Sequence, residues 1–197
     1  MNKQIFIVTV FSLIFIFTAH SSAQLLDRGN GLIYDDVLDI TWLDNANYSG
    51  GTMTWDTAMN WTDNLVFQGY SDWRLPSSDT SCTGKNCTGS EMGQLYYNYN
   101  VTSDSPDLFT DVRPYMYWSI TGYGPDVSKA WRFHFGTGYQ GNSSKSYARY
   151  AWAVRDGDSA PPIVPEPAGF VLFILGGISL TLQRILKGHK TTGSYIP

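Results

Sequence analysis

The chain has 197 residues, 43% of them hydrophobic and 15% aromatic, with 17 acidic against 13 basic side chains and a formal net charge of −4. That length suits one domain with a real core. The acidic balance excludes a nucleic-acid binder, because phosphate contacts need clustered cations.

At the start, Lys3 precedes the apolar run from Ile5 to Phe17, and Ser21-Ser22-Ala23 supplies small residues at the −3 and −1 positions before Gln24. Residues 1–23 therefore read as a secretory signal peptide, and the folded part, 24–158, is expected to be exported. A second domain does not fit in that span. Export also sharpens the charge: residues 24–167 hold 9 Lys and Arg against 17 Asp and Glu, a net −8. All seven tryptophans, from Trp42 to Trp152, fall in the same window and supply large buried areas with polar handles.

The first elements read as a hairpin, Gly31-Leu32-Ile33-Tyr34 and Ile40-Thr41-Trp42-Leu43 joined across the acidic link 35–39. Thr54 caps a predicted helix whose apolar positions Trp55, Ala58, Met59, Leu65 and Val66 recur at helical spacing, with Gly69 as the stop. Cys82 and Cys87 bracket a polar loop. In an oxidising compartment a local disulfide is expected, since a zinc site would lack further ligands. A shorter helix begins at Ser90-Glu91 and carries Met92, Leu95 and Tyr96 on one face. Strands follow over 115–120, 130–135 and 148–155, separated by the turn-rich links at 122–125 and 136–138. There is no internal repeat. Strands, helices, then strands predict an α+β domain with its chain ends paired in one sheet.

The Pro-rich linker over 159–167 ends in Pro165-Glu166-Pro167, and after it come an apolar run over 168–183 and then Arg184, Lys187 and Lys190 in a basic tail over 184–197. A helix over that run covers roughly 24 Å, short of a hydrocarbon core of about 30 Å, and the cations behind it favour a cytoplasmic end. The ordered triple of Pro-Glu-Pro, short apolar helix and basic end resembles the PEP-CTERM sorting signal of Gram-negative bacteria that make extracellular polysaccharide. The resemblance implies a membrane-embedded exosortase as partner, cleavage near Pro165, Glu166 and Pro167 ahead of Arg184 and Lys187, transient inner-membrane anchoring and delivery to the cell surface or extracellular matrix. Here the cations are spread and the tail runs on to Pro197, whereas the family tail usually stops after a dense Arg cluster. A plain single-pass anchor is the alternative.

A second set of residues carries a second resemblance. Gly31-Leu32-Ile33-Tyr34-Asp35, Thr41-Trp42-Leu43, Met53-Thr54-Trp55, Gly69-Tyr70-Ser71-Asp72-Trp73-Arg74-Leu75-Pro76, Glu91-Met92-Gly93, Tyr117-Trp118-Ser119 and Tyr150-Ala151-Trp152-Ala153-Val154-Arg155 recur in this order in the Lcl C-terminal domain family. The likeness spans nearly all of residues 29–157. The Trp-Arg-Leu-Pro block is also similar to one in formylglycine-generating-enzyme-like proteins, which implies a C-type-lectin-like fold. Function does not follow from the fold itself.

Physically, Trp73 and Leu75 are expected in the core, with Arg74 paired to a carboxylate or, alternatively, reading a carboxylate or sulfate on a glycan. Trp118, Trp131 and Trp152 are expected in the core as well. The expected function is non-enzymatic: an adhesive or polysaccharide-associated module, with Tyr123 and Tyr139, near the glycine-rich loops 121–126 and 136–142, as candidate ligand-binding residues alongside Arg74. A surface glycoside hydrolase, which needs two facing carboxylates, and a passive structural cargo are the alternatives. His134 alternates with aromatics on a predicted strand, and no Gly-x-Ser-x-Gly elbow occurs. No cofactor is expected. The carboxylates Asp35, Asp36, Asp39 and Asp44 are expected as solvated turn residues rather than a calcium site, because no EF-hand loop is present.

Overall fold

The two ends of the described chain meet in one sheet. The computed structural model describes residues 23–159, which belong to one compact unit ending at Ser159. The signal segment, the Pro-Glu-Pro motif, the apolar run over 168–183 and the basic tail, with Pro165, Glu166, Pro167, Arg184 and Lys187, lie outside the described residues.

β1 (Leu25–Gly29), β2 (Leu32–Asp35), β3 (Ile40–Leu43) and β7 (Val154–Asp156) form a four-stranded antiparallel sheet in that order. The hairpin between β2 and β3 follows the sequence reading, with Leu32 opposite Leu43 and Asp35 opposite Ile40. Its turn is held by the Asp35 carboxylate, whose Oδ1 accepts from the Val37 and Leu38 N–H groups. A second sheet, β4 (Met116–Gly122), β5 (Lys129–His134) and β6 (Tyr139–Ser144), is also antiparallel. With helices α1 (Trp55–Asp63) and α2 (Glu91–Tyr97), the domain is α+β.

Both helices start where the caps predict. Thr54 Oγ1 accepts from the Thr57 N–H, and Ser90 Oγ from the Gly93 N–H. α1 ends earlier than the apolar spacing suggests. The Asn64 N–H returns to Asn60 and Thr62 carbonyls, and its side-chain amide also donates to Asn60 O, so the chain turns before Leu65 and leaves Val66 exposed. Two strands go beyond the sequence reading: β1, and β6, which pairs residue for residue with β5. The strand expected over 148–155 is shorter, because that segment is shared among partners. Arg149 bridges Met53, Tyr150 bridges Tyr117, the Leu43 N–H bonds Ala153 O, and Val154 bridges Arg74.

This shared segment carries the centre of the core. Trp152 is fully buried, its ring 5.1 Å from Trp42, 5.0 Å from Phe109 and 5.5 Å from Phe135, and its indole N–H donates to Leu43 O at 2.7 Å. Burying such a ring and giving its N–H a carbonyl satisfies both requirements of an interior tryptophan. A second cluster forms on the other face of the β4–β5–β6 sheet, where α1 lays Ala58, Met59 and Trp61 against Trp118 and Ala130. Trp73, Leu75, Trp118 and Trp131 are all buried, in keeping with their sequence patterns. The sheet is thus covered on one face by the main core and on the other, in part only, by α1.

Candidate functional site

Where α1 stops covering it, the second sheet presents an open groove of about 460 Å³. Its walls include Thr52, Tyr115, Met116, His134, Arg149 and Tyr150. The alternation along β5 sends Trp131 and Phe133 to one face and Arg132 and His134 to the other. In β6, Tyr139 lies opposite His134 and Gly141 opposite Arg132, so Tyr139 flanks the same face. The Arg132 guanidinium sits 5.8 Å from the Tyr139 ring centroid, and that of Arg149 5.1 Å from Tyr147.

These two arginines differ from the rest of their kind. Arg28, Arg74, Arg113 and Arg155 each pair with a carboxylate. Among the described residues Arg132 and Arg149 pair with none. The Nε and Nη1 atoms of Arg132 and the Nε of Arg149 are buried without a hydrogen-bond partner. The Arg149 guanidinium donates only to Ala148 O and Ser143 Oγ. Burial, and then the charge of Arg149, push the Arg132 guanidinium below its ordinary range. Burial and the neighbouring Arg132 likewise lower His134, whose Nδ1 accepts from the Gly136 N–H and so leaves the proton of the neutral ring on Nε2. An acidic domain has here gathered uncompensated cationic donors beside exposed aromatic faces: Tyr115 is 58% exposed, Tyr147 56% and Tyr139 40%. Such a surface can take an anionic group in the arginine fork and an apolar ring face against tyrosine.

Tyr123 and Tyr139 are not brought together. The Tyr123 N–H bonds Lys129 O at the start of β5 and Tyr139 lies at its end, a separation of roughly 16 Å along the strand. Tyr123 belongs instead to a second groove, considered below. Arg74 is committed inside the chain: Nη1 and Nη2 grip both oxygens of Glu91, Nε and Nη2 reach Asp156, and Nη1 also donates to Leu75 O. No N–H is left over for an outside anion. Sequence reasoning had singled out His134 but not Arg132, Arg149, Tyr115 or Tyr147. The alternation of β5 marks Arg132, whereas the approach of Arg149 depends on a distant part of the chain.

Cys82 and Cys87 form the expected disulfide. The acidic link differs from expectation at one position. Asp35 is fully buried rather than solvated, because its Oδ1 takes the Tyr99 hydroxyl as well as the two turn N–H groups. Burial raises its pKa against the pull of those donors. Among the described residues, no group of three or more His, Cys, Asp or Glu is placed to hold a metal ion, and no helix is long and apolar enough to cross a membrane.

No curated protein gives a significant match to the chain. The sequence profile of the Lcl C-terminal domain family matches residues 31–155, a span that contains both sheets except β1 and the last residue of β7.

Proposed function

Because the chain belongs to the Lcl C-terminal domain family, we propose that it is an exported surface or matrix protein whose folded domain binds polysaccharide, with the groove lined by Arg149 and His134, and Arg132 on the same sheet face, as its contact for acidic sugars. One observation carries the reading: Arg149, without a carboxylate partner, lines a groove with His134 and the exposed Tyr115, and Arg132, likewise without one, shares the face of β5 that carries His134. Neither guanidinium has a counter-charge among the described residues, so an arriving carboxylate or sulfate would supply one through charge-assisted hydrogen bonds. The surface-hydrolase alternative needs facing carboxylates, and no Asp or Glu lines this groove or the one walled by Tyr123. The C-type-lectin-like arrangement is supported by chain ends meeting in one sheet, with two helices and a separate small sheet.

Binding of oligogalacturonate, which carries carboxylates, and of dextran sulfate, which carries sulfates, tests the groove and separates the two anions. Titration calorimetry with the double variant Arg132→Gln, Arg149→Gln is expected to give affinity at least about tenfold weaker than wild type, since charge-assisted hydrogen bonds contribute about 1.5–3 kcal/mol each. Wild-type binding should also weaken with salt. Equal affinity in the double variant, or no binding of either polymer, would overturn the assignment.

Delivery is proposed to follow the Pro165-Glu166-Pro167 signal, its short apolar run and Arg184 and Lys187, with a membrane-embedded exosortase removing the tail after transient anchoring. Mass spectrometry of protein from medium and from membranes should find a form truncated near residues 165–167 only when the exosortase is present. An intact tail in every fraction would favour a permanent anchor.

A further inference from the structure

A second groove, of about 480 Å³, opens beside the other end of β5, walled by Thr80, Thr83, Gly122, Tyr123, Gly124 and Trp131. We propose that it is a subsite for an uncharged pyranose, separate from the arginine groove and on the opposite face of the same strand. The proposal extends the polysaccharide-binding reading, and shares its premise that the domain meets sugar chains.

Three features make this a built site. First, two glycines leave its mouth open. Gly122 ends the register-shifted stretch of β4 and Gly124 lies in the turn closed by the Asp126 N–H on Tyr123 O, neither has a backbone in the left-handed region, and a Cβ on either would meet no atom within 4 Å. Their missing side chains keep that space clear. Second, the walls are stiff. The loop bearing Thr80 and Thr83 is closed by the Cys82–Cys87 disulfide and pinned to β6 by Gln140, whose side chain donates to Asp79 O and Cys82 O while its backbone exchanges two hydrogen bonds with Gly84. Facing that loop, the Tyr123 ring stands edge-on to Trp131 with centroids 5.6 Å apart. Third, an indole donor is unused. Trp55, Trp73, Trp118 and Trp152 each donate their N–H to a backbone carbonyl. Among the described residues the N–H groups of Trp42, Trp61 and Trp131 have no acceptor, and of these three only Trp131, itself 3% exposed, lines this groove.

The ligand class follows from what the walls offer. The half-buried Tyr123 ring suits the C–H face of a pyranose, and two threonine hydroxyls and an indole N–H suit its hydroxyls. No charged side chain lines the groove, and the nearby Asp126 and Lys129 neutralise each other at 3.2 Å. A carboxylate or sulfate would find no counter-charge here, so the subsite selects neutral sugars. The volume lies within the range of small-ligand clefts. Pleating places the Trp131 side chain opposite that of Arg132, so the two grooves are independent and one copy can hold two sugar segments.

The test uses the full chain in micelles with nitrogen-15 in its tryptophan indoles, titrated to millimolar concentration with cellotetraose, laminaritetraose or mannotetraose. At least one of these should move the Trp131 indole peak saturably. Gly124→Leu fills the groove without asking for an unfavourable φ, and should abolish that shift while leaving the other indole peaks in place. Should Gly124→Leu disturb those peaks, Tyr123→Ala decides in its stead. The inference is overturned if none of the three sugars moves the Trp131 peak in wild type, or if the shift persists in the groove variant. A parallel arm with oligogalacturonate separates the two readings. Loss of that binding in Arg132→Gln, Arg149→Gln but not in Gly124→Leu upholds the arginine groove, whatever the neutral arm returns.

Discussion

Arg74→Met is expected to lower stability by about 3–5 kcal/mol, read as a fall in the urea midpoint at unchanged slope. The cost comes from what remains. Glu91 opens α2 with its side chain 11% exposed, and its carboxylate is met by two Arg74 N–H groups, at 2.8 and 2.9 Å, and by the Ser77 N–H at 2.7 Å. Without the guanidinium, a buried charge keeps one donor. Burial by itself would disfavour the Arg74 cation, but Glu91 and then Asp156 more than offset it and hold its pKa above the ordinary value. The Asp156 side chain is 79% exposed and contributes little. The double variant Arg74→Met, Glu91→Met should therefore recover much of the loss, because it removes the orphaned charge along with its partner. A double variant as unstable as the single one would show that packing around Arg74, rather than charge compensation, is what matters.

Gly93→Ala is the second change expected to be severe. An added Cβ would lie 1.9 Å from Cys87 O and 2.6 Å from Ser90 Oγ, so α2 must move off the disulfide loop. The same two groups form the helix entry: Ser90 Oγ donates to Cys87 O and accepts from the Gly93 N–H. One methyl group thus breaks the cap as well as the packing. Overpacking costs about 1–3 kcal/mol and loss of a cap about 1, together a fall of roughly 10 °C in Tm for a domain of this size. Gly122→Ala is the matched control, since its Cβ meets open space. Thermal unfolding of both under oxidising conditions should show a large drop for the first and almost none for the second.

Much of this architecture was legible because local chemistry and tertiary packing agree. Ser90 followed by Met92, Leu95 and Tyr96 names a helix start and a buried face, and both are observed. The hairpin from Leu32 to Leu43 was similarly plain. β6 was not, because Tyr139-Gln140-Gly141-Asn142-Ser143-Ser144 has little intrinsic strand preference. It is a strand because β5 offers it a full partner across a turn where Gly138 adopts φ +70°. Val66 shows the reverse error: helical spacing continued past the point where Asn64 had already closed the helix. For the groove, Arg132 was readable from the alternation of β5. Arg149 was not, because Met53, just ahead of α1 and distant in sequence, brings it there through paired backbone bonds. Arg74 was read first as an ion-pair partner and alternatively as a ligand contact, and Glu91 and Asp156 around it bear out the first.

Trp152 ties the last stretch of the described chain to its first. The ring that Trp42, Phe109, Tyr117 and Phe135 all surround, and the strand that closes β3, come from the final stretch of the described chain. The contacts that complete the core therefore reach from Trp42 to Trp152, across most of the described sequence, and such long-range closure slows folding. A chain cut short ahead of Trp152 would leave Trp42, Phe109 and Phe135 without the ring they share.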